Sequence, residues 1–417
     1  MADALTHTPL LALGLVLVFG ALLGGGAERL RIPWITGCVL AGILLGPSAA
    51  GLLHGATLAA LGSVAQLAVA VIAFNVGCQL ALARLRATGG SILLLAAAQL
   101  VAPALIVLAG EALLGMALAT ALILAAVAPM TAPTTTFSVI RRRGASGPFV
   151  DRALGILAIN DAAAVLVFSA VSAAAVGLLA AADAGVALGG ALGAAVLNEA
   201  ASLLLGAGLG LAWLGLLRLL EGGGPGWEAR LLASLGGVLL LGIGGAIGFG
   251  LSHLLVPLGI GAAIANGLDE AGRERVRALI HALEDPLFII FFVLAGAHLP
   301  LAGAGHLGLL LAALAYVAGR FAGKYGAVYL AATALRLDGP TRRWLGLCFP
   351  SQGGLAMGAV LALKGSAAVQ ALPPAAAKGV EDAISVVLIG VLASQLAGPV
   401  LIDLAVRRGC AAVPRGG

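Results

Sequence analysis

The stretch LAAVAPMTAPTTTFSVIRRRG, residues 124–144, begins as an apolar helix and then interrupts itself. Pro129 and Pro133 each remove a backbone donor and clash with the preceding helical turn, and a run of threonines surrounds them. A helix inside a bilayer cannot leave backbone groups unpaired unless protein or water satisfies them. The stretch therefore predicts a broken membrane helix whose freed carbonyls and threonine hydroxyls are available as ligands.

The composition places the chain in a membrane. Of its 417 residues, 61% are hydrophobic and only 10% are charged, and the mean hydropathy is +1.12. A soluble domain carries about 25% charged residues, so this composition requires a polytopic membrane protein.

The formal charge of +5 comes from arginines grouped between apolar segments, which indicates membrane topology and no nucleic-acid partner. The scattered cysteines and histidines show no metal-ligand spacing, so no cofactor is expected.

The apolar segments divide into thirteen predicted spans. Arginines occur in the loops after odd-numbered spans, whereas the loops after even-numbered spans hold only Lys364 and Lys378. By the positive-inside rule, the odd loops and the C-terminus are cytoplasmic and the N-terminus lies outside. The arginines that set this orientation are Arg29, Arg31, Arg84, Arg86, Arg141, Arg142, Arg143, Arg218, Arg273, Arg275, Arg277, Arg336, Arg342, Arg343, Arg407, Arg408 and Arg415.

A second interrupted segment is LCFPSQGGLAMG, residues 347–358. Pro350, Ser351 and Gln352, followed by two glycines, break span twelve as the proline and threonine run breaks span five. Thirteen spans suit two inverted six-helix repeats joined by a linking helix, in which spans five and twelve are equivalent. Matching interruptions in two halves are the best sequence indication of a transport site. The predicted fold class is therefore an all-α polytopic membrane protein with thirteen transmembrane helices, two inverted repeats and two crossing broken helices.

Asp161 is an acidic residue deep in the apolar span six, directly after Asn160. An ionisable residue at membrane depth is costly and points to function. One buried carboxylate can hold a proton or a cation, and the two compete. Thr131 of the broken span is the expected partner of Asp161, so the predicted ligands, for a monovalent cation only, are Asp161 and Thr131.

Lys324 and Arg320 are basic residues inside span eleven, one helical turn apart. Lys324 is expected either to pair with Asp161 in the ion-free state or to fix the ends of the broken helices. For Arg320, a bond to a backbone carbonyl or to an interface lipid is the alternative to a role in the site. The residues expected to support the broken helices are Pro133, Thr134, Pro350, Ser351 and Gln352.

Three other polar positions have more than one interpretation. Asn75 in span three is a possible polar neighbour of the ion, or a helix–helix hydrogen bond. We interpret Glu199 in span seven as a residue with a structural role. Glu111 and Asp403 lie near span ends, where water is expected to reach them.

Short blocks of the sequence occur in an order that is typical of one transporter family. The early blocks are LRIPWITGCVLAGILLGPS, TAPTTTFSVIRRRGASGP and LAINDAAAVLVF, and the later ones are DPLFIIFFVLAGAHL, RFAGK, PSQGGLAMG and SQLAGPVL. Together they resemble the monovalent cation/proton antiporters over nearly the whole chain, although each block alone would be a weak indication of the family. In that family the ion-binding aspartate corresponds to Asp161, the broken-helix threonine to Thr131 and the span-eleven basic residue to Lys324. Asn160 occupies the first position of the family's Asn-Asp or Asp-Asp pair.

The resemblance implies a homodimer whose protomers combine a dimerisation domain with a mobile core that moves like an elevator. The corresponding parts are residues 1–89 (dimerisation domain, spans 1–3), 90–182 (core ion-transport domain, spans 4–6), 183–228 (linker helix, span 7), 229–304 (dimerisation domain, spans 8–10) and 305–417 (core ion-transport domain, spans 11–13).

The resemblance also bears on stoichiometry. Members with Asn-Asp are generally electroneutral, but they usually carry arginine where this chain has Lys324. Many relatives have a glutamate in span three, where this chain has Asn75 and Gln79. Electroneutral exchange is therefore expected, and electrogenic exchange with Lys324 as a second proton carrier is the alternative.

The expected function is antiport of a monovalent cation against H⁺, with Na⁺ the first choice and K⁺ or Li⁺ possible. A sodium-coupled organic anion symporter on a related fold is the competing hypothesis. The expected partners are the transported ions, membrane lipids and a second copy of the chain. The expected location is a bacterial inner (plasma) membrane, and no enzymatic site is visible.

Overall fold

The computed structural model describes residues 8–30, 32–82, 89–184, 188–220, 226–298 and 306–410. Every element in these ranges is helical, which confirms the all-α class. Among the arginines used to orient the chain, Arg31, Arg84, Arg86 and Arg415 lie outside the described residues.

The helices follow one another with short connections. In chain order they are α1 (Pro9–Arg29), α2 (Trp34–Leu45), α3 (Gly55–Ala60), α4 (Gly62–Cys78), α5 (Gly90–Leu113), α6 (Leu118–Val127), α7 (Pro133–Arg143), α8 (Pro148–Ala184), α9 (Leu188–Leu220), α10 (Trp227–Phe249), α11 (Leu255–Gly267), α12 (Glu270–Ala297), α13 (His306–Ala334), α14 (Gly339–Trp344), the 3₁₀ helix η1 (Leu345–Cys348), α15 (Gly354–Lys364), α16 (Ala367–Gln370) and α17 (Pro374–Cys410).

Within the described residues, seven helices are long and apolar enough to cross a membrane, namely α1, α5, α8, α9, α10, α13 and α17. Helix α12 is an eighth if its two parts, Glu270–Ile280 and Glu284–Ala297, which meet at 46°, are one span. Five more apolar helices, α2, α4, α6, α11 and α15, have 10–17 residues. A straight span needs roughly 20 residues, so the number of thirteen crossings remains a prediction.

The chain forms two compact units, each made of separate parts of the sequence. Unit 1 comprises Met1–Ala83, Val176–Leu301 and Leu361–Pro373, and unit 2 comprises Arg84–Ala175, Ala302–Val360 and Pro374–Gly417. The dimerisation and transport roles expected for the domains stay predictions.

In unit 1, helices α4 and α11 pack backbone against backbone. A Cβ atom on Gly77 would lie 2.1 Å from the Leu258 carbonyl oxygen, and one on Gly261 would lie 2.2 Å from the Phe74 carbonyl oxygen. Only glycine allows this approach, which is common where membrane helices touch. The reciprocal contact fixes the last turn of α4, which carries Asn75.

In unit 2, helix α13 packs against α5 through small residues. A Cβ atom on Gly323 would lie only 2.6 Å from the Cα atom of Pro103. An adjacent face of α13 carries Tyr316, Arg320 and Lys324 at four-residue intervals, so these side chains form one row along the helix. All three are buried, and their hydrogen bonds reach the broken helices.

Both interrupted segments belong to unit 2. Residues 128–132 separate α6 from α7, and residues 349–353 separate η1 from α15. The two unwound segments are joined directly, because the Ala132 backbone N–H donates to the Ser351 carbonyl oxygen at 3.0 Å. Backbone groups that a continuous helix would satisfy internally are thus paired between the two breaks.

Candidate functional site

The centre of the candidate site is Asp161 on α8, with only 1% of its surface exposed. Its Oδ1 atom accepts the backbone N–H of Thr131 at 3.3 Å and also the Thr131 hydroxyl. That N–H is free to donate because residues 128–132 are not helical. One residue of the break therefore supplies two donors to the buried carboxylate.

Asn160 connects α8 to the same break. Its Nδ2 donates to the Pro129 carbonyl oxygen at 2.9 Å. Its Oδ1 is buried and accepts no hydrogen bond from the residues that the structure describes. Leaving a buried polar atom unsatisfied costs about 1–3 kcal/mol, so this oxygen is a candidate ligand for a cation or a water molecule.

The Lys324 side chain is also directed to the first break. Its Nζ donates to the Pro129 carbonyl oxygen at 2.7 Å, so this carbonyl accepts from Lys324 and Asn160 together. Of the two roles expected for Lys324, this geometry corresponds to holding the broken helix. Within the described part of the chain, the ammonium donates to a carbonyl of the break and not to the Asp161 carboxylate.

Arg320 joins the two breaks, and none of its surface is exposed. Its Nη1 donates to the Pro350 carbonyl oxygen at 2.7 Å and to Ser394 Oγ at 3.1 Å. Its Nη2 donates to the Met130 carbonyl oxygen at 2.7 Å and to the Ser351 carbonyl oxygen at 3.4 Å. A guanidinium suits this task because its donors are fixed in one plane and it stays charged.

Gln352 is a further link between the breaks. Its Nε2 donates to the Val127 carbonyl oxygen at 3.2 Å, where α6 ends. It also pairs with the Tyr316 hydroxyl, at 2.8 Å from Nε2 and 3.2 Å from Oε1. Tyr316 and Arg320, which are neighbours in the row on α13, therefore both stabilise the second break, Tyr316 through a side-chain contact and Arg320 through backbone contacts.

The hydroxyls near the breaks do not all face inward. Pro133 is the first residue of α7, and the Thr134 side chain is exposed. Instead, Thr135 accepts from Ser351 Oγ at 3.1 Å, and Thr136 donates to the Cys348 carbonyl oxygen at 2.8 Å. The predicted support residues Pro133, Pro350, Ser351 and Gln352 are thus at the breaks, whereas Thr134 points away.

Asn75 belongs to unit 1 and has a partner that the sequence did not single out. Its Nδ2 donates to the carboxylate of Glu284 on α12, and Glu284 is only 5% exposed. The available signal was an acid placed directly before the apolar run DPLFIIFF. Tyr316 and Ser394 were also missed, because their roles depend on which helices meet.

Two acids expected near water differ from each other. Asp403 is partly exposed and accepts bonds from Arg143 at 2.6 and 2.7 Å and from Arg407 at 2.9 Å. Glu111 is 0% exposed, and neither carboxyl oxygen has a partner among the described residues. The expectation that water reaches Glu111 is wrong, because its side chain is fully buried on α5, a helix that packs against α13. Glu199 is partly buried.

The arrangement combines one buried carboxylate with a hydroxyl, a free amide oxygen and unwound backbone. These are hard oxygen donors, which suit a proton or an alkali cation. Within the described ranges, no group of three or more His, Cys, Asp or Glu residues could hold a multivalent metal ion. The chemistry available is ion binding and release, and the broken helices position it.

Comparison with known proteins gives consistent results. A family model described as "Sodium/hydrogen exchanger, transmembrane" matches residues 14–405. The fold is similar to the sodium proton antiporter MjNhaP1 from Methanocaldococcus jannaschii at pH 8, with 17% sequence identity and a TM-score of 0.73. This similarity covers 97% of the chain and 99% of that protein. No curated protein sequence matches the chain.

Proposed function

Because the chain belongs to the sodium/hydrogen exchanger family, it is a membrane transporter and not an enzyme, and we propose that it exchanges Na⁺ for H⁺ at Asp161. The observation that carries this proposal is the buried Asp161 carboxylate at the break, bonded to Thr131. A buried carboxylate is stable when neutral or beside one positive charge. Proton and cation therefore exclude each other, and this exclusion couples their fluxes.

The cation would bind through three oxygens around the break. The Asp161 carboxylate supplies the charge, and Asn160 supplies an amide oxygen that accepts nothing else among the described residues. A hydroxyl has one donor and two acceptor positions, so Thr131 can donate to Asp161 and still accept the cation. Hard oxygen ligands bind all alkali cations, so K⁺ or Li⁺ would bind through the same contacts.

Exchange is proposed to be electroneutral, with one proton per cation. Lys324 and Arg320 would remain charged throughout, because their donors hold the carbonyls of Pro129, Met130 and Pro350. If Lys324 instead released its proton in each cycle, exchange would be electrogenic and would respond to membrane potential.

Unit 2 is proposed as the transport core and unit 1 as the scaffold that forms a homodimer. Support comes from the membership of unit 2, which includes Asp161, Thr131, Arg320, Lys324 and both breaks. Elevator-type movement of this unit would expose the site to each side of a bacterial plasma membrane in turn. The charge pattern supports an N-terminus outside and a C-terminus in the cytoplasm.

The test is ion exchange in proteoliposomes with a trapped pH dye. Adding Na⁺ should dissipate an imposed pH gradient, and Asp161→Asn should reduce this to the protein-free rate because the amide holds neither ion. Asp151→Asn is the matched control, since Asp151 lies on the same helix but is exposed. Exchange that survives in Asp161→Asn would exclude the proposed function.

A further inference from the structure

One end of unit 2 carries a group of exposed arginines that the exchange mechanism above does not use. Helices α7, α13 and α17 end there, and their residues Ile140, Ala332 and Val406 are buried in one apolar cluster. Around this cluster lie five exposed arginines, which we call the arginine surface: Arg141, Arg142, Arg336, Arg343 and Arg408.

The acids near the arginine surface are bonded to other arginines. Asp403 accepts from Arg143 at 2.6 and 2.7 Å and from Arg407 at 2.9 Å, and Asp338 pairs with Arg152 at 3.5 Å. In the parts of the chain that the structure describes, no acid pairs with a member of the arginine surface. Its positive charge is therefore available to a negatively charged partner.

Exposed apolar side chains lead up to the arginine surface along α7 and α17. Phe137 is 46% exposed and lies one turn before Arg141 on the same face of α7. On α17, Leu404 is 38% exposed and lies one turn before Arg408. Apolar residues exposed on a membrane helix face the lipid acyl chains, so an arginine one turn further lies at the level of the headgroups.

Helix α13 approaches the same end with two tyrosines. Tyr325 and Tyr329 are partly exposed, and their rings stack with 6.2 Å between the centroids. Tyrosine is enriched where membrane helices reach the interface, and Arg336 follows in the connection to α14. The three helices thus present apolar side chains first and positive charge next. This order matches the acyl chain and phosphate of a phospholipid better than it matches a soluble acidic partner.

The arginine surface is directly connected to both breaks. Helix α7 begins after the first break at Pro133 and ends at Arg143, and α14, which carries Arg343, leads through η1 into the second break. A headgroup bound at this surface would lie against the ends of both segments. Binding is therefore expected to stabilise the parts of unit 2 that carry the breaks.

We propose that the arginine surface binds the phosphate headgroups of anionic phospholipids. Guanidinium groups donate to phosphate oxygens in pairs, and clusters of roughly four to eight basic residues beside membrane helices attract anionic lipids. The acyl chains would lie along Phe137 and Leu404, each one turn away from an arginine. The inference does not depend on which ions the protein exchanges. A surface that recognises free phosphate, and not lipid, is the competing explanation.

Removing two of these arginines tests the assignment without changing the ion site. Arg141→Gln/Arg408→Gln removes one charge from each of two helices, and both positions are exposed, so the fold should be retained. Arg141→Lys/Arg408→Lys keeps the charge. Arg218→Gln/Arg230→Gln is the matched control, because it removes two exposed arginines from unit 1.

The experiment is native mass spectrometry of the purified full-length protein in detergent, titrated with phosphatidylglycerol or with phosphatidylcholine. The unaltered protein should bind phosphatidylglycerol more tightly. Arg141→Gln/Arg408→Gln should raise the phosphatidylglycerol dissociation constant about tenfold and leave the phosphatidylcholine constant unchanged. The lysine variant and the unit 1 control should stay close to the unaltered protein, and free glycerol phosphate at the lipid concentration should not displace the lipid.

The proposal is overturned if the unaltered protein binds the two lipids equally, or if the glutamine variant keeps its affinity for phosphatidylglycerol. An equal loss of affinity in the unit 1 control would show a general attraction to positive charge, and displacement by glycerol phosphate would assign the surface to free phosphate. The thermal midpoint without lipid checks that the glutamine variant is folded. If it is not, the comparison of the two lipids on the unaltered and lysine-substituted proteins still decides.

Discussion

Thr131 interacts with Asp161 through both its backbone and its side chain because it lies where the helix is unwound. In a continuous helix its N–H would bond the carbonyl four residues earlier and would be unavailable. Asn160 uses the break in the complementary way, donating to the exposed Pro129 carbonyl. At the scale of single residues, the site therefore uses backbone groups that would be hydrogen-bonded within the helix in a regular span.

Thr131→Val should weaken cation binding without unfolding the protein. Valine keeps the shape and the backbone N–H but removes the hydroxyl, so we expect the half-saturating Na⁺ concentration to rise about tenfold, the equivalent of roughly one charge-assisted hydrogen bond. The measurement is exchange rate against Na⁺ concentration in proteoliposomes.

Thr131→Ser is the matched control, since it retains the hydroxyl and should stay close to the unaltered protein. Equal half-saturation for the valine and serine variants would show that the hydroxyl is not a ligand.

Helix α13 shows how one element organises the breaks. Small residues on one face pack against α5, and a neighbouring face carries the row Tyr316, Arg320 and Lys324. Arg320 and Lys324 between them donate to four backbone carbonyls, at residues 129, 130, 350 and 351, so the breaks depend on where this helix lies.

Gly323→Ala should destabilise unit 2, because the added methyl would lie 2.6 Å from the Pro103 Cα atom. Such overpacking costs about 1–3 kcal/mol, and displacing α13 should also slow exchange. The measurements are the thermal midpoint in detergent and the Na⁺-dependent exchange rate.

Gly326→Ala on the same helix is the control, since a Cβ atom there has no neighbour within 4 Å. It should match the unaltered protein in both measurements. Equal thermal midpoints for the two alanine variants would contradict the close packing of α13 on α5.

The sequence identifies the ionisable residues of the site better than it identifies their partners. Asp161, Lys324 and Arg320 stand out because charge is rare in apolar runs, and the family identification is confirmed. The partners of Arg320 depend on how helices meet, which no local pattern contains. Thr134 shows the same limit for a single side chain. It faces outward because α7 begins at Pro133, and this start determines which side of the helix each residue lies on.

Span counting has a related limit. The interrupted spans and the short α2, α4 and α11 fall below the length of a plain span, so composition alone predicts their presence but not their path. Glu284 was overlooked for a similar reason, since α12 begins with a charged segment and only its second part is apolar.

At the scale of the whole molecule, the two units each contain a buried carboxylate in an apolar helix. Asp161 in unit 2 is bonded to an unwound backbone, whereas Glu284 in unit 1 is bonded to the Asn75 side chain. We propose proton exchange at Asp161 alone. Raising the pH removes the competing proton from Asp161 and should therefore strengthen cation binding there.

The most direct test of this central claim is proton release on Na⁺ binding, measured by titration calorimetry in buffers of different ionisation enthalpy. At a pH where Asp161 is protonated, saturation with Na⁺ should release close to one proton per protein, and the release should decline as the pH rises. Asp161→Asn should release none. Na⁺ binding without proton release at any pH, or unchanged release from Asp161→Asn, would contradict competition at Asp161.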